Sequence, residues 1–132
     1  MPSVGTYYLD LALTGMINGC TDVNINTAEP ATFSAATSGA TFLGKKVWGA
    51  GAVFNTALGT GGLQAGSSSG RKITTKAITD GAISTGGSAA AASVTDNANS
   101  RLAVSTTLSA SQTVTAGNPF TLTAFDVNLA GA

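Results

Sequence analysis

The side chains that most often carry catalysis are scarce in this sequence. It contains no histidine, and Cys20 is its only cysteine. Without histidine the chain cannot form a Ser–His–Asp or Cys–His catalytic site, or a histidine-containing zinc site. A single cysteine also excludes an intramolecular disulfide and a thiolate metal cluster. We therefore expect Cys20 to be a small buried hydrophobic residue.

Carboxylates are the remaining candidates for acid–base chemistry, because glycoside hydrolysis needs a pair of them. The candidates are Asp22, Glu29, Asp80, Asp96 and Asp126. Each lies beside turn or strand-end residues, and only Trp48 is an obvious platform for stacking a sugar. A Ser–Lys dyad could use Lys72 or Lys76, but lysines that alternate along a strand normally face solvent or guard a sheet edge. Asp10 and Asp126 have apolar neighbours and are expected to bond to backbone. The pattern does not indicate an enzyme or a cofactor.

Three short motifs approach known binding signatures. Residues 39–46, GATFLGKK, resemble a phosphate-binding loop, but Lys46 stands where a hydroxyl must contact Mg²⁺, so a β-turn with two solvated lysines is favoured. Residues 49–51, GAG, lack the third glycine of a dinucleotide fingerprint. Finally, Asp96, Asn97 and Asn99 could supply oxygen ligands to Ca²⁺. An Asx-turn explains the same residues without a metal and is preferred.

The N-terminal segment is predicted to be a short helix. In residues 4–17, VGTYYLDLALTGMI, apolar side chains recur at every fourth position, although the same segment also alternates as a strand would. Its leucine and alanine content favours the helix. Ser3 or Thr6 is the expected N-cap, and Gly15 or Gly19 is expected near the helix end.

Strands are predicted for most of the remaining chain. Residues 21–30 alternate apolar and polar side chains, which indicates a half-buried strand that ends at Pro30. Residues 31–57 hold large apolar anchors, and strands with unclear ends are predicted there. Residues 58–70, LGTGGLQAGSSSG, have no periodicity and are predicted to form a loop that is mobile or ordered only against a neighbour.

Glycines punctuate the next part of the chain. Residues 71–79 alternate and are predicted to form a strand, and Asp80–Gly81 is a tight-turn dipeptide that should lead into a paired strand at 82–85. Gly86–Gly87 interrupts the pattern again. The strand that follows, SAAAASVTD, has small side chains, which favours close approach of a second sheet or subunit, and a loop follows it at residues 96–100.

Residues 100–130 carry the longest β-type alternation and are predicted to form a hairpin that scaffolds the domain. Residues 116–119, AGNP, supply its turn. In the strand predicted after this turn, the apolar face switches at Ala124–Phe125, which predicts either a bulge or a strand covered on both faces. The second cover is either another sheet of this chain or a neighbouring subunit. On the second alternative the candidate assembly residues are Phe125, Val127 and Leu129.

Composition limits both the fold and the partners. Short strands between turn signals predict one all-β domain over residues 1–132, a β-sandwich or jelly-roll-like barrel with a short N-terminal helix. Charged residues are 9% of the chain, and six basic and six acidic side chains cancel. This balance predicts no binding to nucleic acid or to a membrane surface. No signal peptide or membrane span is recognisable, so we expect synthesis in the cytoplasm. Low charge and small side chains favour a protein that works inside a larger assembly.

Four sequence blocks, read in order, resemble a family of short structural proteins encoded by tailed phages and prophages of mostly α-proteobacterial hosts. The blocks are YYLDLAL (7–13), TAEPATFSAAT (27–37), GRKITTKAITDGAIS (70–84) and DNANSRLAVSTTLSASQTVTAGNPFTLTAFDVNL (96–129). The last block is the most specific. The resemblance implies a non-enzymatic virion component and supplies no catalytic residues.

We therefore expect a capsid decoration protein that binds the major capsid protein or other virion proteins and forms a homo-oligomer. The alternative is a tail-fibre or tail-tip domain that recognises a host glycan or surface protein, for which Tyr7, Tyr8 and Trp48 are the expected exposed aromatics. A third possibility, a cell-wall hydrolase that uses Asp96 or Glu29, is not favoured.

Overall fold

The computed structural model describes residues 5–66 and 69–130. This part of the chain contains nine strands and two helices, so the prediction of a mainly β fold with an N-terminal helix is confirmed. In chain order the elements are α1 (Thr6–Gly19), β1 (Asp22–Asn26), α2 (Phe33–Thr37), β2 (Phe42–Val47), β3 (Gln64–Ala65), β4 (Arg71–Thr74), β5 (Ile78–Ile83), β6 (Gly87–Asp96), β7 (Arg101–Val114), β8 (Pro119–Leu122) and β9 (Asp126–Leu129).

The strands form two antiparallel sheets. The larger sheet has the order β7-β6-β1-β2-β5-β8, and the smaller one has the order β3-β4-β9. The larger sheet is curled, and the curl brings its two terminal strands, β7 and β8, to the two sides of a common cleft. The core consists of apolar side chains from both sheets and from α1. Neither described helix has the length and hydropathy needed to cross a membrane.

Helix α1 forms where the apolar period predicts it, and its core-facing side chains are Leu9, Leu13 and Ile17. Its N-cap differs from the prediction. Gly5 occupies this position without a side-chain hydrogen bond, while Thr6 is the first helical residue. Ser3 lies outside the described residues. The helix continues through Gly15 and ends at Gly19. Because its N-cap makes no side-chain hydrogen bond, burial of its apolar face is what stabilises it.

Residues 31–57, predicted as strands, include the short helix α2 as well as β2. The helix begins where the Thr32 side chain accepts a hydrogen bond from the backbone N–H of Ala35 (3.1 Å). This is the N-cap interaction expected of threonine. One turn of helix offers too short a window for a periodic pattern, so the apolar residues alone did not reveal it.

The tight turn predicted at Asp80–Gly81 is wrong, because β5 passes straight through both residues. Gly81 pairs with Phe120 of β8, and the register between Ile78 and Gly81 is irregular. The Phe120 ring lies where a β-carbon at residue 81 would be, which explains glycine at this position without a turn.

The hairpin predicted over residues 100–130 is also wrong. The turn itself exists, since Gly117 has a φ of 86° and the Asn118 N–H donates to the Thr115 carbonyl (3.1 Å). However, β7 and β8 do not pair with each other and lie at opposite edges of the larger sheet. The turn therefore carries the chain across the open side of the curled sheet.

The switch of apolar face at Ala124–Phe125 marks a change of sheet. Strand β8 ends at Leu122, and β9 begins at Asp126 in the smaller sheet. Between them, the Thr75 N–H donates to the Phe125 carbonyl (2.9 Å), and the Phe125 N–H donates to Thr75 Oγ1 (3.0 Å). Thr75 is buried, so these two bonds fix the crossing point. Neither a bulge nor one doubly covered strand describes this segment.

The loop predicted at residues 58–70 is partly ordered by its own chain. Strand β3 pairs with β4, and Thr60 and Leu63 form an isolated bridge. Residues 67 and 68, which belong to the same predicted loop, lie outside the described residues.

Candidate functional site

Four carboxylates form ion pairs between segments that are far apart in sequence. The pairs are Asp10 with Arg71 (2.6 Å), Asp22 with Lys45 (3.5 Å), Asp80 with Lys46 (2.9 Å) and Asp126 with Lys72 (3.0 Å). Another carboxylate, that of Glu29, accepts a hydrogen bond from Thr107 Oγ1 (2.8 Å). Asp10 and Asp126 thus bond to side chains, which corrects the prediction of backbone partners. The carboxylates serve as cross-links between elements and do not form a facing pair over a cleft.

Asp126 has the most engaged of these carboxylates. It accepts a short hydrogen bond from Thr74 Oγ1 (2.6 Å) and pairs with Lys72. The Thr74 hydrogen bond, followed by the Lys72 interactions, lowers the pKa of Asp126 despite some desolvation. The lowered pKa makes Asp126 a poor proton donor near neutral pH.

The segment that resembles a phosphate-binding loop lies largely within β2. Gly44, Lys45 and Lys46 are strand residues, so the predicted β-turn with two solvated lysines is wrong. A β-carbon at Gly44 would collide with the Ala82 backbone of β5, so close strand pairing explains this glycine. Because the segment lies largely in a paired strand, its backbone N–H groups do not form a loop that surrounds a phosphate, and both lysine side chains pair with carboxylates.

The loop that could have supplied calcium ligands is internally hydrogen-bonded. The Asn99 backbone N–H and side-chain amide both donate to Asp96, at 3.3 and 2.9 Å. Asn97 Oδ1 accepts from Thr95 Oγ1 (2.6 Å). Among the described residues, no group of three or more histidine, cysteine or acidic side chains could hold a metal ion. The local hydrogen bonds resemble the Asx arrangement that the sequence favoured.

Cys20 is buried at the end of α1, as its residue type predicts. Burial, with a smaller contribution from the charge of Asp96, raises the pKa of its thiol to about 11. The thiol is therefore protonated near neutral pH and is a weak nucleophile.

Trp48 is less exposed than expected of a sugar-stacking platform. The ammonium groups of Lys46 and Lys76 lie 5.0 and 5.2 Å from its ring centroid. Such distances are typical of cation–π contacts. The indole Nε1–H is buried and has no hydrogen-bond partner among the described residues.

A buried polar ladder, which sequence reasoning missed, lies along β1 and β6. Alternation had predicted that Asp22, Asn24 and Asn26 face solvent, yet all three are buried. They share a face with Ser93 and Thr95 of β6, which are directly opposite in the strand register.

Hydrogen bonds connect this ladder in two directions from Asn24. Asn24 Nδ2 donates to Thr95 Oγ1 (3.1 Å) and to Ser93 Oγ (3.4 Å). Ser93 Oγ in turn donates to Asn26 Oδ1 (3.0 Å), and Asn26 Nδ2 donates to the Ala36 carbonyl of α2 (3.1 Å). Asn24 Oδ1 is buried without a partner among the described residues. The ladder attaches α2 to the sheet, so we assign it a structural role.

The predicted assembly residues separate into two groups. Val127 is buried, and Phe125 and Leu129 pack against the core of the same chain. Of the two covers that the sequence allowed for this segment, the structure therefore shows the one supplied by the chain itself. By contrast, Tyr7 is 68% exposed and Tyr8 is 66% exposed, with their rings in edge-to-face contact (5.2 Å between centroids).

The two tyrosines lie beside Leu11, which is 50% exposed, on the outer side of α1. We call Tyr7, Tyr8 and Leu11 the α1 face. The only charged residue of this helix, Asp10, is paired with Arg71. The α1 face therefore combines large apolar groups without a charge that would oppose their burial in a contact.

The edges of the curled sheet form a second candidate surface. A cleft of about 150 Å³ lies between β7 and β8, with Ile25 and Ala89 on its inner side. We call this space the seam cleft. It is lined by residues 108–110, 112 and 114 of β7, residues 120–123 of β8, Ile25 and Ala89.

Comparison with protein-family models, with curated proteins and with solved structures finds no match for this chain.

Proposed function

We propose that this chain is a non-enzymatic structural protein of a tailed-phage virion that decorates the head and binds the major capsid protein and neighbouring copies. The α1 face carries this proposal. Three large apolar side chains on one side of a helix form a contiguous exposed patch, which is typical of a protein–protein contact. Tyrosines are enriched in such contacts because a large rigid ring is buried at little entropic cost.

The arrangement of charges is compatible with this function. Four of the six acidic side chains are neutralised within the chain by lysine or arginine. A surface with so few free charges is poorly protected against association, which suits a protein that functions among many copies. The resemblance of the four sequence blocks to phage structural proteins agrees with this role.

We further propose that the curled sheet is an open barrel, the barrel alternative of the predicted fold. Its strand order places β7 and β8 at the two ends of the sheet, and both line the seam cleft. The three-stranded sheet contributes Ile73 and Val127 to the shared core.

The first experiment asks whether the polypeptide is present in purified particles. Proteomics should detect it in hundreds of copies per virion if it decorates the head, and particles that lack it would disprove the virion role. A handful of copies would instead support the tail-fibre alternative. That alternative is favoured by one observation, the exposure of the Tyr7 and Tyr8 rings, on which a host glycan can stack.

The second experiment tests the α1 face itself. Empty capsids should bind the wild-type protein but not the double variant Tyr7→Ser and Tyr8→Ser. Val47 is a matched control, because it is 59% exposed and lies on β2 rather than on α1. Capsid binding that is lost equally in Val47→Ser, or retained in the tyrosine variant, would contradict the assignment of this face.

A further inference from the structure

The seam cleft has backbone groups available for strand pairing. Strands β7 and β8 each have one paired neighbour in the described sheet, so each has one free edge. The β6–β7 register moves from Ala91 opposite Thr107 to Ala89 opposite Gln112, and residues 108–111 therefore face Ala90 alone. These four residues have no regular ladder partner among the described strands. Such a bulge redirects the strand and leaves its backbone groups free to bond elsewhere.

The inner surface of the seam cleft is apolar. Phe120 is buried, and Leu122, two positions later on β8, is half-buried at the core boundary. On β7, Leu108 and Val114 also pack against the core from the cleft wall. The cleft has about 150 Å³ of space. An apolar cavity of about this size can hold a benzene ring, which corresponds to one leucine or phenylalanine side chain.

The residues that line the seam cleft are all uncharged. A charged ligand would lose hydration there without gaining a counter-charge. The occupant that fits is an extended, uncharged polypeptide segment, because it supplies backbone donors and acceptors together with an apolar anchor.

We propose that the seam cleft binds an extended strand from a different polypeptide, which pairs with the free edge of β7 or β8 and inserts one leucine- or phenylalanine-sized side chain. A second copy of this chain is a poor donor, because each of its described strands carries a neighbour on at least one side, and a strand that carries a neighbour is too wide to enter the cleft between β7 and β8. This inference is independent of the α1 face and of the virion role.

Peptide binding tests the proposal directly. The probe is the acetylated and amidated peptide TVTLTVT, whose central leucine is the anchor, and binding is followed by NMR of the labelled protein. We expect chemical-shift changes in β7 and β8 on titration. Replacing the central leucine by alanine should weaken binding at least about tenfold. Methylating the backbone nitrogens of the peptide should abolish binding, since it removes the hydrogen-bond donors.

The control variants lie on one strand. Ala110→Leu should fill the cleft and abolish binding, whereas Ala103→Leu, which is also on β7 but outside the cleft, should leave it unchanged. Equal binding of the methylated peptide, or no binding of the original peptide, would overturn the proposal. Self-association that Ala110→Leu removes would also overturn it, because the occupant would then be a second copy. If Ala110→Leu unfolds, amide hydrogen exchange of the wild-type protein is measured with and without the peptide. Exchange rates of residues 108–111 that the peptide leaves unchanged would contradict strand pairing.

Discussion

The ring of Phe120 lies against the backbone of Gly81, in the space that a β-carbon at residue 81 would occupy. The two residues pair across β5 and β8, and both are buried. This contact places an aromatic ring on the inner side of the seam cleft. It also explains why an Asp-Gly dipeptide, which normally marks a turn, lies within a strand here.

The Gly81–Phe120 contact predicts that Gly81→Ala is destabilising. The added methyl group must displace the ring, and overpacking of this kind costs about 1–3 kcal/mol of unfolding free energy. Gly15→Ala is the matched control, because a β-carbon there meets no atom within 4 Å. Because alanine favours a helix more than glycine does, Gly15→Ala should stabilise the protein by up to about 1 kcal/mol. Urea unfolding of both variants measures the effects, and equal stabilities would contradict the contact.

The buried ladder predicts a cost for Ser93→Ala. The hydroxyl accepts from Asn24 and donates to Asn26, so its removal leaves buried amide groups with fewer partners. Unsatisfied buried polar groups cost about 1–3 kcal/mol each. Ser105, directly opposite Ser93 on β7, is the control, and Ser105→Ala should change stability by less than about 0.5 kcal/mol. Chemical unfolding that ranks the two variants in the reverse order would refute the structural role of the ladder.

Asp126 predicts a pH-dependent contribution to stability. Its pKa is lowered in the folded chain, chiefly by the Thr74 hydrogen bond. The contribution is therefore present above the unfolded-state pKa and is lost as the pH falls through the folded-state pKa. Because the carboxylate is partly exposed, Asp126→Asn should cost less than about 1 kcal/mol at neutral pH. Unfolding curves of both proteins should converge in acid, and a difference that persists unchanged there would contradict this origin.

Cys20 predicts an unreactive thiol in the folded protein. A pKa raised from 9.0 to about 11 lowers the thiolate fraction near pH 8 by about a hundredfold, because only the thiolate reacts. Modification by a disulfide reagent should be slower than in the unfolded chain by at least that factor. The same protein in guanidinium provides the control. Modification at equal rates in the two states would show that Cys20 is not buried.

Some features were predictable because they depend on neighbours along the chain. The α1 helix follows from its apolar period, and β6 follows from a run of small residues that ends at an Asp-Asn loop. The turn at residues 115–118 forms from its own glycine and asparagine. Among candidate site residues, exposure of Tyr7 and Tyr8 agrees with their position at the start of a helix that needs only one apolar face for the core.

Other features depend on contacts between distant segments. The alternation of Asp22, Asn24 and Asn26 with apolar residues is typical of a half-exposed strand, but the β6 hydroxyls and α2 permit burial of the polar face. Trp48 is likewise covered by Lys76, which is distant in the sequence. Polarity alone did not reveal these partners, because a buried polar group is tolerated wherever another segment satisfies its hydrogen bonds.

The sequence by itself determined the chemistry that this chain lacks, the helix at its start, and most positions of its strands. These properties follow from residue types and from periods of two and about four residues, which local geometry imposes. Only the tertiary structure decided that β7 and β8 lie apart across a cleft and that the chain changes sheet at Phe125. Strand pairing is set by long-range packing and hydrogen bonding, and a turn that favours a hairpin cannot outweigh the burial of Phe120 against Gly81.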